Sequence, residues 1–151
     1  IALILCALSF GGAMEKTHSL DVLATHILKL AKRTGSLVLS TIFTCLFMNT
    51  IAGDQYLAII VPGRMFQKAY KRKGLATKNL SRALEDGGTL TSALIPWNSG
   101  GAYMWATLGV YPFAYLPFAF LNLLTPLVSI FLAYTGLTME KVDQAKNNSN
   151  S

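Results

Sequence analysis

The chain has 151 residues, of which 52% are hydrophobic and only 13% are charged, and its formal net charge is +6. A soluble domain usually carries about 25% charged residues, so this composition excludes an ordinary soluble protein and indicates an integral membrane protein. Much of the basic excess lies in one stretch between apolar segments (Arg64, Lys68, Lys71, Arg72, Lys73, Lys78 and Arg82). Positive charge beside membrane segments explains this cluster more simply than nucleic-acid binding does, so nucleic acid is not an expected partner.

Residues 1–14 are apolar and show no initiator Met, no basic region and no small-residue cleavage site, so we do not expect them to form a signal peptide. Fourteen helical residues cover only about 21 Å of a hydrocarbon core about 30 Å thick. We therefore expect residues 1–14 to be the end of a truncated transmembrane helix, and the chain to be the C-terminal piece of a longer protein.

Residues 15–35 place apolar side chains at helical spacing, with Lys32 and Arg33 in the last turn and Gly35 as the stop. The pattern predicts one short amphipathic helix. This helix either lies along the membrane surface or is a solvated linker helix packed on the protein, and the sequence leaves both interpretations open.

Residues 36–63 are apolar but are interrupted near the middle by residue types that favour helix caps and breaks (Asn49, Thr50, Gly53 and Asp54). We predict two half-helices, near residues 36–48 and 54–61, neither of which is long enough to cross a bilayer alone. Basic residues flank both ends of the segment. If positive charge marks the cytoplasmic side, this pattern favours a re-entrant hairpin with its tip at residues 49–54, rather than a single span.

The second half of the chain is predicted to return to the membrane after a basic interfacial loop at residues 64–88, in which a short helix ends at Gly87 and Gly88. Residues 89–110 then form a broken transmembrane helix, because a proline, an asparagine and two glycines interrupt residues 96–101. Residues 111–138 contain the final transmembrane helix, near residues 120–135. We expect two or three spans in all, followed by a polar disordered tail at residues 139–151.

Asp54 is the only carboxylate inside a long apolar run, and an ionisable group at membrane depth is a functional-site hypothesis by default. Broken helices expose carbonyls and helix ends, which transporters use to hold small ions. The hard oxygen donors around both breaks suit an alkali cation, so we predict a site for Na⁺ and H⁺ as transported ions, with no cofactor and no catalytic residue. The predicted cation- or proton-binding residues are Asp54, Asn49, Thr50, Asn98 and Ser99, of which Asp54, Asn49, Thr50 and Asn98 would contact Na⁺, and the predicted supporting residues are Thr89, Thr91, Ser92 and Asp86.

Two roles are open for Asp54. Burial disfavours the charged form of a carboxylate, which would let Asp54 exchange a proton for a cation. Alternatively, Asp54 caps the N-terminus of the second half-helix, a role that stabilises the charged form and opposes proton uptake.

Four longer motifs resemble the C-terminal part of the NhaC-type Na⁺/H⁺ antiporter family: GDQYLAII at 53–60, PGRMF at 62–66, NLSR at 79–82 with LED at 84–86, and IPWN at 95–98 with GAYM at 101–104. The resemblance runs over roughly residues 36–138. It implies a multi-pass carrier of the bacterial or archaeal inner membrane that exchanges Na⁺ for H⁺. Some relatives instead exchange organic acids such as malate and lactate.

The order of surface helix, hairpin, broken helix and final span also resembles the second repeat of the ion transporter superfamily. This implies an inverted-repeat secondary transporter with elevator-type alternating access. Asn49 and Thr50 would match its hairpin-tip motif, and residues 96–101 the unwound loop that faces the tip. In that architecture the second hairpin opens toward the outer side, whereas the flanking charges here favour the cytoplasmic side.

The expected partners are membrane lipid, the missing N-terminal part of the same carrier and a second copy in a homodimer. One rival of another class is an intramembrane aspartyl protease, since Gly53 and Asp54 resemble part of its motif. Ile51 occupies the position of that motif's first glycine, and the chain holds no second intramembrane acid. The sequence therefore favours an all-α integral membrane transporter over an enzyme.

Overall fold

The computed structural model describes residues 33–136 and 139–141. The helix end predicted at 1–14, most of the predicted amphipathic helix, and residues 142–151 therefore lie outside the described residues. Within the described ranges the chain is mostly helical and contains no β-strand, which confirms the all-α part of the prediction. An isolated bridge joins Leu75 to Lys141.

The helical elements are α1 (Thr34–Ala52), α2 (Gln55–Arg72), α3 (Thr77–Leu84), a π turn (Glu85–Thr89), α4 (Leu90–Ser92), α5 (Ser99–Leu108), α6 (Pro112–Tyr115), a 3-10 turn (Leu116–Phe118) and α7 (Phe120–Thr135). Their packing core lies between α1, α2, α3 and α7. Its buried side chains include Leu37, Val38, Ile42, Cys45, Phe66, Ala69, Tyr70, Leu80, Ala83, Leu84 and Ala133.

The break between α1 and α2 is shorter than predicted. Only Gly53 and Asp54 are non-helical, and Gly53 adopts φ of +61°, a left-handed conformation that glycine reaches without steric cost. Asn49 and Thr50 therefore lie near the end of α1 and not in the tip itself. With 19 residues, α1 is about 28 Å long, close to the thickness of a hydrocarbon core of about 30 Å, so by length and composition it is a candidate span and not the shorter half-helix that the sequence predicts.

Two helix ends differ from those expected. Gly35 lies in the first turn of α1 and does not end a preceding helix. α2 continues to Arg72, through Pro62 and past the predicted boundary at residue 63. Proline has no backbone N–H and so removes one hydrogen bond from a helix, but α2 stays helical on both sides of Pro62, which is buried.

Gly87 and Gly88 do not end a helix, contrary to the prediction. The chain passes from α3 through the π turn into α4, with the Leu90 backbone N–H donating to the Glu85 carbonyl. A Cβ atom on Gly87 would lie 2.9 Å from the Cα atom of Ile42, so glycine at this position permits close packing against α1. The break predicted in residues 96–101 falls at residues 93–98, between α4 and α5.

Candidate spans in the described part of the chain number one or two. α1 is one of them, and the second arises if Pro112–Phe118 and Phe120–Thr135, which are bent by 59° at the break, count as one span. α7 has the bounds predicted for the final transmembrane helix. Several large apolar side chains of α5 and α7 are exposed, as is typical of a surface that contacts lipid or another protein segment (Tyr103, Trp105, Leu108, Leu121, Leu127 and Phe131).

Residues 139–141 were predicted to begin a disordered tail, but they pack against the helices. Met139 contacts the core, and the Glu140 carbonyl accepts hydrogen bonds from the Ala76 backbone N–H (3.0 Å) and from Asn79 Nδ2 (2.7 Å). Lys78 forms an ion pair with the Glu140 carboxylate. These contacts hold the start of the tail beside α3.

Candidate functional site

The site forms where the two breaks in the chain meet. The Ser99 backbone N–H donates to the Gly53 carbonyl (2.9 Å), and the Gln55 backbone N–H donates to Ser99 Oγ (3.3 Å). Trp97 Nε1 donates to the Thr50 carbonyl (2.8 Å). We call this region, made of residues 49–55 and 97–100, the junction.

At each break, the last residue caps the N-terminus of the helix that follows. Asn98 has extended backbone geometry, and its Oδ1 atom accepts from the Gly100 backbone N–H (3.1 Å) at the start of α5. Carbonyls left free where the helix unwinds after α4 are also bonded, since Asn122 Nδ2 donates to the Leu90 carbonyl (2.6 Å) and the Tyr115 hydroxyl donates to the Ala93 carbonyl. These side chains supply the hydrogen-bond partners that buried non-helical backbone requires.

Asn49 and Asn98 form the centre of the junction, and both are fully buried at 0% exposure. Asn98 Nδ2 donates to both the backbone carbonyl and Oδ1 of Asn49, each at 3.0 Å. Asn49 Nδ2 in turn donates to the Gly88 carbonyl (2.7 Å) and to Thr91 Oγ1 (3.0 Å). Because a side-chain amide has two N–H donors, both residues use their full donor capacity to join α1 to the π turn, to α4 and to the second break.

The oxygen atoms of this pair differ in their remaining capacity. Asn98 Oδ1 accepts from the Gly100 backbone N–H and from Ser99 Oγ (3.4 Å). Asn49 Oδ1 accepts one hydrogen bond, from Asn98, among the described residues. Since a carbonyl oxygen has two lone pairs, Asn49 Oδ1 has acceptor capacity beyond that bond.

Asp54 performs the capping role. Its Oδ1 atom accepts from the Leu57 backbone N–H (3.1 Å), and the residue is half-buried at the N-terminus of α2. A negative charge there is stabilised by the free N–H groups and the dipole of an 18-residue helix. Asp54 lies between Gly53 and Gln55, both bonded to Ser99, so the carboxylate is adjacent to the junction. Its predicted binding of Na⁺ or H⁺ stays a prediction.

Thr50 does not direct its hydroxyl into the junction. Thr50 Oγ1 donates to the Leu46 carbonyl (2.9 Å) within α1, and the side chain is exposed. Thr50 instead contributes its backbone carbonyl to the junction, where this carbonyl accepts the hydrogen bond from Trp97. Ser99 is also exposed, but its hydroxyl bonds to Asn98 and accepts from Gln55, so Ser99 belongs to the junction.

The predicted supporting residues separate into two places. Thr91 Oγ1 donates to the Gly87 carbonyl (2.5 Å) and accepts from Asn49, and the Ser92 hydroxyl lies 2.7 Å from the Thr89 carbonyl and 3.0 Å from Gln55 Oε1. Thr91, Ser92 and the Thr89 carbonyl thus adjoin the junction. Asp86 lies at the other end of the π turn, where it accepts a hydrogen bond from the Ser129 hydroxyl.

Sequence reasoning missed Gln55, Trp97 and the carbonyls of the π turn. Gln55 carried a usable signal, because it is a polar side chain in an apolar run next to Asp54. The indole hydrogen bond of Trp97 has no signal in the sequence. The junction contains amide, hydroxyl and carbonyl oxygens, which are hard ligands that suit alkali cations.

Comparison with known proteins gives a family match over most of the chain. The sequence profile of the Na⁺/H⁺ antiporter family matches residues 1–137. The chain is 38% identical to the Na⁺/H⁺ antiporter NhaC of Alkalihalophilus pseudofirmus, over 97% of the chain and 32% of that protein. No solved structure matches the chain.

Two further relatives carry names with other cargoes. The chain is 37% identical to the arginine/ornithine antiporter ArcD of Halobacterium salinarum, over 95% of the chain and 30% of that protein. It is 35% identical to the malate-2H⁺/Na⁺-lactate antiporter of Bacillus subtilis, over 90% of the chain and 29% of that protein. The chain thus spans about a third of the length of the curated relatives it matches.

Proposed function

Because the chain belongs to the Na⁺/H⁺ antiporter family, we propose that the carrier containing it exchanges Na⁺ for H⁺ across a cell membrane. The observation that carries the proposal is the buried Asn49–Asn98 pair at the meeting point of two helix breaks. Polar side chains within membrane segments often mark ion pathways, and helix breaks there are sites at which transporters hold ions.

In this proposal Na⁺ is a substrate held at the junction by oxygen atoms. Asn49 Oδ1 supplies one ligand to the ion, and the neighbouring hydroxyls and carbonyls of Thr91, Ser92 and Ser99 supply further oxygen atoms around it. Asp54 supplies negative charge beside the junction and takes up the proton when Na⁺ leaves. Thr50 joins the site after its side chain turns from the Leu46 carbonyl.

The carrier is proposed to be a multi-pass protein of the bacterial or archaeal cell membrane. α1 and α2 would form a re-entrant hairpin with its tip at Gly53 and Asp54, and the missing part of the carrier would supply an inverted repeat and the other half of the site. The exposed apolar surface of α5 and α7 would contact membrane lipid, that missing part, or a second copy in a homodimer.

The family assignment indicates a transporter rather than an enzyme, which removes support from the aspartyl protease alternative. A second candidate function is Na⁺/H⁺-coupled exchange of organic acids. It is favoured by the 35% identity to the malate-2H⁺/Na⁺-lactate antiporter. Transport of malate or lactate by the purified carrier in liposomes, dependent on a Na⁺ gradient, would distinguish this candidate from simple ion exchange.

The test of the proposal compares two threonines in everted vesicles that contain the complete carrier. Thr91 and Thr125 each donate to the carbonyl four residues earlier, but Thr91 alone of the two also accepts from Asn49. We expect Thr91→Val to raise the Na⁺ concentration needed for half-maximal proton flux by about tenfold, because beyond the bond within its own helix it also loses the buried hydrogen bond from Asn49. Thr125→Val should leave it unchanged.

Equal effects of the two valine variants would contradict a cation site at the junction. Absence of Na⁺-driven proton flux in the unmodified carrier would contradict the proposed exchange itself.

A further inference from the structure

The π turn joins the junction to a second buried polar group. The carbonyls of Gly87 and Gly88 accept from Thr91 Oγ1 and Asn49 Nδ2, so the orientation of Asn49 in the junction and of the adjoining Thr91 depends on this turn. A π turn is a rare, locally widened form of helix that is frequent at functional sites. Two consecutive glycines give it little intrinsic rigidity, since glycine loses more conformational freedom on folding than other residues.

Asp86 lies in the same turn and faces away from the junction. It is buried at 7% exposure, it accepts a hydrogen bond from the Ser129 hydroxyl of α7, and the Arg82 Nε atom lies 4.0 Å from its Oδ2 atom. The side chain of Arg82 is 49% exposed, so this ion pair is screened and contributes little. The bond to buried Ser129 is therefore the main attachment of Asp86.

We propose that Asp86 is a positioning residue for the cation site, which holds the π turn against Ser129 and thereby fixes the Gly87 and Gly88 carbonyls that orient Thr91 and Asn49. The inference rests on the proposed function, because it concerns the affinity of the same site. Asp86 does not contact the cation in this arrangement. It acts through the backbone of the turn, where small errors in position weaken a preorganised site.

Two substitutions at Asp86 separate a positioning role from a charged one. Asparagine keeps an oxygen that accepts from Ser129 but removes the charge, whereas alanine removes both. We expect Asp86→Ala to weaken Na⁺ binding by about tenfold, the effect of losing a hydrogen bond to a charged group, while Asp86→Asn stays within about twofold of the unmodified carrier. Ser129→Ala, which removes only the partner, should weaken binding in the same direction.

The matched control is Glu85→Ala. Glu85 carries the same charge in the same turn, but its side chain is exposed. We expect this variant to bind Na⁺ as the unmodified carrier does. Binding is measured on the complete purified carrier in detergent, from the Na⁺ concentration that half-saturates its thermal stabilisation, with Na⁺-driven proton flux in liposomes as a second measurement.

Unchanged Na⁺ binding in both Asp86→Ala and Ser129→Ala would overturn the inference. If Asp86→Ala does not fold, Ser129→Ala decides the matter alone. Loss of flux in Asp86→Asn with normal Na⁺ binding would also overturn it, because Asp86 would then act by its charge. An unmodified carrier that neither binds nor exchanges Na⁺ would instead overturn the proposed function, and this inference with it.

Discussion

The two breaks in the chain have similar local geometry but form different hydrogen bonds. Each ends at a residue with extended backbone that caps the next helix, Asp54 before α2 and Asn98 before α5. Asp54 is half-buried and its carboxylate bonds within its own segment, whereas Asn98 is fully buried and also donates across to Asn49. An ionised carboxylate only accepts hydrogen bonds, but an amide accepts through oxygen and donates through nitrogen. A neutral cap can therefore also hold two segments together.

Asn98→Asp should give the largest loss of stability, because it replaces the amide cap of the second break with a carboxylate cap like that of Asp54. The variant keeps an acceptor for the Gly100 N–H but places a buried carboxylate against two oxygens of Asn49. We expect about 3–5 kcal/mol of destabilisation, the range for an uncompensated buried charge. Thermal unfolding of the complete carrier in detergent measures it.

Asn98→Ser is the matched control for that variant, since serine caps helices as well as asparagine does but cannot reach Asn49. It should lose about 1–3 kcal/mol, the cost of leaving buried partners unsatisfied. An Asn98→Asp carrier as stable as the unmodified protein would show that the amide hydrogens do not join the two breaks.

Asp54 variants should have a smaller effect on stability and a large one on transport. Asn is as good a cap as Asp, so Asp54→Asn should unfold within about 0.5 kcal/mol of the unmodified carrier, while Asp54→Ala should lose about 1 kcal/mol. Both variants should abolish Na⁺-driven pH changes in everted vesicles. Exchange that persists in Asp54→Asn would leave Asp54 with the capping role alone.

Among these variants, Trp97→Phe should have the smallest combined effect on stability and transport. It removes the indole N–H that donates to the Thr50 carbonyl, but Trp97 is 59% exposed, so water can replace the bond. We expect a loss of less than about 1 kcal/mol in thermal unfolding. Trp105→Phe is the control, because Trp105 contacts the Tyr111 ring edge-on and a phenyl ring retains that packing. A larger loss for Trp97→Phe would mean that the side chain is buried in the complete carrier.

The sequence predicted the positions of the breaks better than their extent. Residue types that disfavour helix interiors marked both breaks, and the structure brings the candidates Asn49 and Asn98 into hydrogen-bond contact. Thr50 shows the limit of this reasoning, because one residue step turns the side chain by about 100° around a helix. Asn49 therefore faces the core and Thr50 does not, which only a defined helix orientation decides.

The glycines of the π turn show the same limit. Gly87 and Gly88 resemble a helix stop in the sequence, but in the structure they are packing contacts within a continuous helix, with Ile42 close to Gly87 and Ile59 close to Gly88. Asp86 was predicted to be a supporting residue of the ion site. Its bond to Ser129, 43 residues away, places it on the other side of the turn.

The sequence by itself predicted a membrane protein, the mostly helical content of the described residues, the existence of two breaks and the family, because composition, helix-breaking residues and long motifs are local properties. The tertiary structure decided which polar groups meet. The bonds that join Asn49 to Gly88, Thr91 and Asn98 link residues 39 to 49 positions apart. Such contacts depend on how α1, the π turn and the second break pack together, and packing is a property of the whole fold.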